Sequence, residues 1–480
     1  MRHIRVRAAV LGGGLAGTLT AAALAEHADE VVVVERDVLP DGPHPRKGLP
    51  QAVHGHVLWS AGARAMERLL PGVTGRWLAS GAHRLPLPAG ILNHTPFGWR
   101  RRWRTEPASH YYLSMSRDLL DWGVREALRA GPHAGRVRVL CGAEPVRLLG
   151  GPDRVRGVTV RHGDGATGDI PADLVVDATG RSALGVRLLE ALGAGPVPVS
   201  EVDAGVVYAT RDHVAPAGHE AFPVVVVQGD PAAGVPGRMA TFIPIEGGVW
   251  RIVVSGTRGA QPSRDAELFE AFARRAAHPF VAELIRAATP AGEVHTSRST
   301  GNRRYHYERV RGLPDGFLAL GDALAAYNPC YGHGMSAAAM GAVALNRFYH
   351  GRGLADRGAA RRAQRAVVRR SVTTPWTLAT QQDMFYPGAR GTRPTRADRV
   401  VSAYVRRVMA TACGCATADR ALTGVIALDK PLSVFFAPSV LWHALRGPAA
   451  PRLPEPDLSP GERRLLAGRD ACSSGEAECA

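Results

Sequence analysis

The chain reads as an α/β protein in which a parallel-sheet half is interleaved with a separate β-rich half and followed by a mainly helical region. Three observations predict this. A strand, turn, helix and second strand fill Val6–Arg36, a run of short strands fills Asp203–Ser255, and helical spacing dominates Ala359–Arg446.

The opening unit carries the most information. Val6, Ala8, Val10 and Leu11 form an apolar run, Leu15–Ala25 has no helix breaker beyond Gly17, and Val31–Val34 are four consecutive valines. Between them stand Gly12, Gly14 and Gly17. The first allows a tight turn, the second lets backbone approach a pyrophosphate, and the third lets the helix pack closely on the strands. The phosphates belong on the helix N-terminus. Glu35, ending the second strand, is placed to accept from an adenosine ribose. The expectation is a Rossmann-like dinucleotide site.

A chain of 480 residues can form two or three domains, and 45% hydrophobic with 21% charged residues is a globular composition. The net charge of +16 is almost all scattered arginine, with lysine only at Lys47 and Lys430. With abundant Ala, Gly and Pro, this fits the residue usage of a high-GC genome better than a nucleic-acid surface. The one dense cluster, Arg100–Arg104 with Trp99 and Trp103, is expected as a solvated loop. The six cysteines, at 141, 330, 413, 415, 472 and 479, lack paired zinc spacing and read as free thiols of a reducing cytoplasm. Residues 1–10 run straight into the first strand, and no apolar stretch reaches the length of a membrane span. A cytoplasmic protein without an integral membrane segment is expected.

Further along, a Pro/Gly-rich loop over Leu39–Pro50 precedes helical spacing at Val53–Leu70, and nearby Arg46, Gln51, His54 and His56 suit a loop approaching a cofactor better than a metal site. Tyr111–Ala130 predicts a short strand and a helix opening near Ser116, with Arg117 in its first turn. Val137–Leu149 and Val155–Arg161 alternate as strands. Ala172–Gly180, ADLVVDATG, predicts a buried strand whose small-residue end lets backbone come close to a ligand. Ala266–Ala288 reads as helical; Phe317–Leu320 predicts a strand, followed by Gly321-Asp322, a loop through Pro329, Gly332 and Gly334, and a helix from Met335 to about Tyr349. The tail, 447–480, is rich in Pro, Gly and charge and is expected to be largely disordered.

Three separated stretches agree: the glycine fingerprint with Glu35, ADLVVDATG, and Gly321-Asp322 with Pro329 and Gly332-x-Gly334. The trio resembles the single-component flavoprotein monooxygenases of the para-hydroxybenzoate hydroxylase fold. The last two elements turn the expected dinucleotide into FAD, because an NAD site needs neither. The resemblance implies that Asp322 bonds the ribityl chain or ribose-side hydroxyls, that the Gly332–Met335 helix start faces the flavin pyrimidine, and that Arg117 lies beside the flavin. A helix N-terminus there stabilises negative charge on the reduced ring. Candidate cofactor contacts are Gly12, Gly14, Ala16, Gly17, Glu35, Arg36, Arg46, Lys47, Arg117, Asp177, Thr179, Gly180, Gly321, Asp322, Gly334 and Met335, with Pro329 and Gly332 also facing the flavin. Many family members carry His at Ala325 and Asn at Ser336, so the aromatic hydroxylases are not the nearest pattern.

A closer resemblance is carried by Arg46–Gly72, Val202–Arg211, Gly301–Val310, Gly321–Ala339 and Pro375–Tyr386. These look like the flavin-dependent epoxidases of polyether ionophore biosynthesis, which act on a linear polyene polyketide. The implied organisation is an FAD-binding domain over 1–185 and 295–350, with 50–110 partly on the substrate side. It continues with a β-rich substrate domain over 186–294, a helical region over 355–446 and the tail. The implied cycle is reduction by NADPH or NADH, reaction with O2, and oxygen transfer from the flavin C4a-hydroperoxide to an alkene of a free or carrier-bound polyketide. A separate flavin reductase is an alternative source of electrons. Epoxidation needs an apolar pocket rather than a strong base, and Tyr208, Phe242 and Trp250 are candidate pocket residues. No side-chain acid or base is assigned. Phenol hydroxylation needs a positioned base. The rivals are a hydroxylase, a halogenase, a prenyl-chain reductase and a non-catalytic flavin-binding protein. The halogenase would need a tunnel lysine and a Trp-x-Trp-x-Ile-Pro stretch, whereas Phe242-Ile243-Pro244-Ile245 lacks both tryptophans.

Overall fold

A computed structural model of the chain describes residues 5–103 and 109–467. A five-stranded parallel sheet runs in the order Phe317–Ala319, Leu174–Asp177, Arg7–Leu11, Glu30–Val34 and Val137–Leu140. Its central strands are covered on both faces, which is why they are unbroken apolar runs rather than alternating ones. The chain leaves this sheet after Asp177 and returns to its edge only at Phe317. The intervening residues build most of the second half, so the two halves are interleaved.

That second half is a seven-stranded sheet in which Val207–Val214, Val249–Gly256, Arg238–Ile245 and Val224–Val227 run antiparallel as neighbours. Ile91–Thr95 joins it in parallel, which brings part of the 50–110 stretch to this side. One face packs on the helices Ala266–Arg274 and Phe280–Ala287 through a core that includes Phe242, Trp250, Phe269 and Phe280. The other face looks toward the parallel-sheet half. The helix expected over Val53–Leu70 is divided into a 3-10 turn, Pro50–Val53, a strand, Val57–Trp59, and a helix, Ser60–Leu69. The helical stretch expected over Ala266–Ala288 is made of two helices, Ala266–Arg274 and Phe280–Ala287.

The C-terminal helices Arg396–Ala412, Ala416–Ile426 and Pro438–Arg446 enclose a core of their own around Val408, Leu422, Val425 and Phe435. The solvated loop expected at Arg100–Arg104 is corrected over its described residues. Arg100 is buried, and its Nε donates to Asp419 Oδ1 at 2.8 Å across a separation of 319 residues. Arg102 reaches Glu462 at 2.6 Å, and Trp99 is in the core of the seven-stranded sheet; Arg104 lies outside the described residues. These charges have internal partners that composition does not reveal. The expected disordered tail also differs over 447–467, where Leu453 bridges Trp99 and the helix Pro460–Ala467 follows, with Leu458, Leu465 and Leu466 packed on the second core. Residues 468–480, with Cys472 and Cys479, lie outside the described residues. Among the described residues no helix is long and apolar enough to cross a membrane.

Candidate functional site

The first strand ends at Gly12, whose φ of +99° is a left-handed conformation that glycine supplies at no steric cost. A Cβ at Gly17 would lie 1.8 Å from Gly12 O, so the helix Leu15–Leu24 sits against the turn with no room for a side chain. Gly14 is different: a Cβ there would meet only Arg46 Nη2, at 3.7 Å. The space above Gly14 is open, and no side chain caps the helix N-terminus it introduces. Free first-turn N–H groups beside open space make an anion cradle.

Glu35 forms the cradle wall. It is buried, its Oε2 accepts from Gly13 N at 2.7 Å, and its Oε1 accepts from Asp37 N at 2.9 Å. Arg46 lies over it, 3.6 Å from Glu35 Oε2, 3.4 Å from Asp37 Oδ2 and 3.5 Å from Asp121 Oδ2. Asp121, which the sequence reading missed, also meets Arg125 at 2.7 Å and Arg117 at 3.8 Å. The Nε atoms of all three arginines are buried without a hydrogen-bond partner. Burial pulls the Arg117 and Arg125 guanidinium groups below their usual range, with Asp121 opposing. Ser116 caps the Arg117–Arg129 helix by accepting from Leu119 N, which fixes Arg117 at the first turn. Arg36 and Lys47 do not join this cluster. Arg36 is exposed beside Asp37, and Lys47 is exposed with no ion pair among the described residues.

On the other side of the cradle, Asp177 departs from its expected place as a cofactor contact. Its fully buried carboxylate accepts from Thr179 N and Oγ1, at 2.9 and 2.7 Å, and from Gly185 N at 2.7 Å. It shapes the turn that presents Thr179 and Gly180. Burial still pushes its carboxyl up, against those three donors. Asp322 follows Gly321, whose φ of +66° and contact with Ala16 fix the chain there. The Asp322 side chain is 39% exposed, yet surrounding protein raises its carboxyl, with Arg181, Arg117 and Arg303 opposing. Its Oδ2 is 4.0 Å from Arg181 Nε.

The turn Pro329–Tyr331 and Gly332 lead into the helix Gly334–Tyr349, with Gly332 at φ +66°. A Cβ at Gly332 would meet Val57 Cγ2 at 3.2 Å and Trp59 Nε1 at 3.4 Å. Met335 is buried in the core of the parallel-sheet half. Pro329 and Cys330 are exposed, although burial pushes the Cys330 thiol, 3.7 Å from Ser255 Oγ, up to about 12. Together these facts describe a recess between the two sheets, which solvent enters and protein surrounds. The turn is held from outside by Asp383. Its carboxylate accepts from Tyr331 OH at 2.6 Å, Asn302 Nδ2 at 2.6 Å and Asn328 Nδ2 at 2.9 Å. Burial raises Asp383 to about 6. Asp383, Asn302 and Asn328 were not anticipated as site residues, although they fall in the segments Pro375–Tyr386, Gly301–Val310 and Gly321–Ala339 that carry the closer resemblance.

The sheet face across the recess carries Tyr208, Val226, Met239, Thr241, Val253 and Ser255, as the registers Tyr208↔Ser255, Ser255↔Met239, Val253↔Thr241 and Thr241↔Val226 require. Tyr208 is therefore on the expected side, and it meets His54 edge-on at 4.5 Å. Phe242 and Trp250 are not. Both are fully buried on the opposite face, 4.7 Å apart. Period-two alternation points them at the helices. His54 Nδ1 pairs with Thr210 Oγ1 at 2.8 Å, and His56 Nδ1 donates to His54 O at 2.9 Å. Burial, then a neighbouring charge, lowers His54 to about 4 and His56 to about 3. Both imidazoles are neutral near pH 7. Asp212, the carboxylate on this face, is held by Arg251 through two 2.8 Å contacts.

A match to the FAD binding domain family spans residues 5–357. Protein Rv3254 of Mycobacterium tuberculosis (strain ATCC 25618 / H37Rv) is 29% identical over 364 residues, covering 73% of this chain and 74% of that protein. Among solved structures, p-nitrophenol 4-monooxygenase PnpA of Pseudomonas putida DLL-E4 aligns with a TM-score of 0.58 at 16% identity, over 93% of this chain and 99% of that one. The flavin-dependent brominase Bmp2 aligns at 0.55 and 14%, over 98% and 99%. The open space over Gly14, bounded by Arg46 Nη2, and the uncapped helix N-terminus suit the anionic pyrophosphate of FAD. The chain belongs to the FAD binding domain family.

Proposed function

We propose that this chain is a monooxygenase that uses FAD, NADPH or NADH and O2 to epoxidise alkene carbons of a hydrophobic polyketide, free or carrier-bound. When bound and reduced by NADPH or NADH, FAD would supply the activation of O2, one of whose oxygen atoms goes to the alkene while the other leaves as water. In this reading Gly12, Gly14 and the helix N-terminus hold the pyrophosphate, Glu35 and Asp322 take hydroxyls, and Arg117 and the Gly332–Gly334 backbone lie beside the ring. The β-sheet face shapes the substrate side. Val226, Met239, Thr241 and Val253 give it an apolar surface, while Asp212 is neutralised by Arg251 and both histidines are uncharged. Such a wall suits oxygen transfer to an electron-rich double bond, which needs exclusion of water more than a base.

One observation carries the epoxidase reading. The five segments that resemble polyether epoxidases, scattered from residue 46 to 386, meet around this single recess. His54 touches Tyr208, Gly332 abuts Val57 and Trp59, Asn302 donates to Val202 O at 3.2 Å, and Asp383 joins Asn302 to Asn328. A second reading, hydroxylation of an aromatic or polyketide substrate, is favoured by His56. Its Nδ1–H is committed to His54 O, so Nε2 is left as a neutral acceptor beside Arg117 for a substrate hydroxyl. Halogenation is disfavoured because lysine occurs only at the exposed Lys47 and Lys430.

The test supplies FAD-loaded protein with NADPH or NADH, oxygen-18 gas and a lipophilic polyene. Epoxide carrying the heavy isotope is expected. Turnover under anaerobic conditions, or label arriving only from water, overturns the proposal; label on a ring hydroxyl transfers it to the second reading.

A further inference from the structure

The C-terminal helical bundle carries an apolar face that none of the described residues covers. Val400 (71% exposed), Val401 (43%), Phe436 (52%), Leu441 (37%), Trp442 (53%) and Leu445 (79%) all lie on it. They are not the bundle's core, which is made by Val408, Leu422, Val425, Phe435, Val440 and Ala444. On Pro438–Arg446, Val440 and Ala444 face inward while Leu441, Trp442 and Leu445 face outward. Phe436 stacks on Tyr404 at 5.2 Å, one turn from Val400 and Val401. Arg407 bonds the carbonyls of Ala444 and Leu445, which ties the two helices edge to edge.

The unpaired charge on these helices is one-signed, since Asp230, from outside the bundle, is already held by Arg406. Between residues 396 and 446 the acids are Asp398, Asp419 and Asp429. Each is engaged: Asp398 in a capping box with Thr395, Asp419 by the buried Arg100, and Asp429 by Ser60, Arg64 and His110. Arg396, Arg399, Arg420 and Lys430 are exposed and make no ion pair among the described residues, and Arg446 lies 4.1 Å from the Trp442 ring centroid. A second copy of the chain would set these cations against themselves. A surface that is anionic outside and apolar just beneath satisfies both features at once, as an interfacial helix with aromatic, leucine and basic side chains does.

We propose that this face docks the protein on an anionic lipid bilayer, with Phe436, Leu441, Trp442 and Leu445 entering the headgroup boundary and the arginines pairing with lipid phosphates. The inference does not depend on which reaction the recess performs. The test co-sediments FAD-loaded full chain with phosphatidylcholine vesicles, with and without phosphatidylglycerol. Binding is expected to the anionic vesicles, and it should fall by about tenfold in Trp442→Ser/Leu445→Ser and by a similar factor in high salt. Both positions are exposed, so the variant should keep its bound FAD and melting temperature, which separates lost docking from lost folding. Equal vesicle binding by the variant, or equal binding to neutral vesicles, overturns the proposal. So does a wild-type dimer that becomes monomeric in the variant while neither form binds vesicles, which would give the face to a second copy.

Discussion

Replacing Asp383 by alanine removes an acceptor from three donors at once: Asn302 Nδ2, which keeps Val202 O, and Asn328 Nδ2 and Tyr331 OH, which are left without one. A buried donor left unsatisfied costs about 1–3 kcal/mol, so the two orphaned donors cost roughly 2–6 kcal/mol, a large part of the stability of a typical domain. Asparagine behaves differently. It keeps one oxygen acceptor, and its amide can donate to Tyr331 OH if that hydroxyl turns, so only one contact of about 1–2 kcal/mol is at stake. Against this stands the cost of the buried charge. Burial moves Asp383 from 3.8 to about 6, which corresponds to about 3 kcal/mol of destabilisation at neutral pH. Either substitution relieves that charge, so Asp383→Asn is expected to be at least as stable as wild type at pH 7 and Asp383→Ala less stable than Asp383→Asn.

The sign of the pH effect follows from a raised folded-state pKa. The carboxyl's contribution is fully present below pH 3.8 and is lost as pH rises through about 6. Lowering pH from 7 to 5 should thus stabilise wild type relative to Asp383→Asn by about 1 kcal/mol. Urea unfolding of the FAD-loaded proteins across that range measures it. Because Asp383 fixes the turn beside the proposed flavin edge, Asp383→Ala should also change the bound-flavin absorption and lower kcat. Equal stabilities of the alanine and asparagine variants, with a wild-type flavin spectrum in both, would refute the claim that Asp383 organises the turn.

Gly14→Ala should fold normally, since its φ of −74° and open surroundings accept a methyl group, but should weaken FAD binding by about tenfold or more in a fluorescence titration. Gly17→Ala places Cβ against Gly12 O and should fail to yield folded protein in a thermal melt. Phe242→Ala should cost about 3–5 kcal/mol in chemical unfolding without altering product pattern, whereas Met239→Ala should shift KM or product distribution with little change in melting temperature. Arg100→Ala leaves Asp419 buried and unpaired, so a loss of about 3–5 kcal/mol, read as faster limited proteolysis of residues 396–446, is expected.

The cradle was legible because its geometry is local. Gly12 and Gly17 lie within one turn of each other, and the constraint between them is written in a spacing of five residues. Ser116 as the cap of the Arg117 helix is legible for the same reason. The choice between Tyr208 and Phe242 was not. Both faces of the seven-stranded sheet are covered, one by two helices and the other by the cofactor-side loop. Alternation then yields two sets of buried residues without saying which set meets the recess, and the larger aromatics drew the assignment to the wrong side. Asp383 and Arg100 fail for a further reason. Asp383 meets Asn302 across 81 residues and Arg100 meets Asp419 across 319, so composition assigns each charge to solvent by default.

The same pairings explain the surface they leave behind. The helical region is held to the rest of the molecule by carboxylates: Asp383 on the Asn328–Tyr331 turn, Asp419 on Arg100, and Asp429 on Ser60, Arg64 and His110. Every one of these acids is directed inward, toward an arginine, amide or hydroxyl of the two sheet-containing halves. Of the arginines on the same helices, Arg406 meets Asp230 at 2.5 Å, whereas Arg396, Arg399 and Arg420 make no ion pair among the described residues, so these helices keep unpaired positive charge as a consequence of how their acids are fastened. One arrangement of charge thus both fixes the Asn328–Tyr331 turn and leaves these helices with the unpaired cations on which the proposed docking to an anionic bilayer rests.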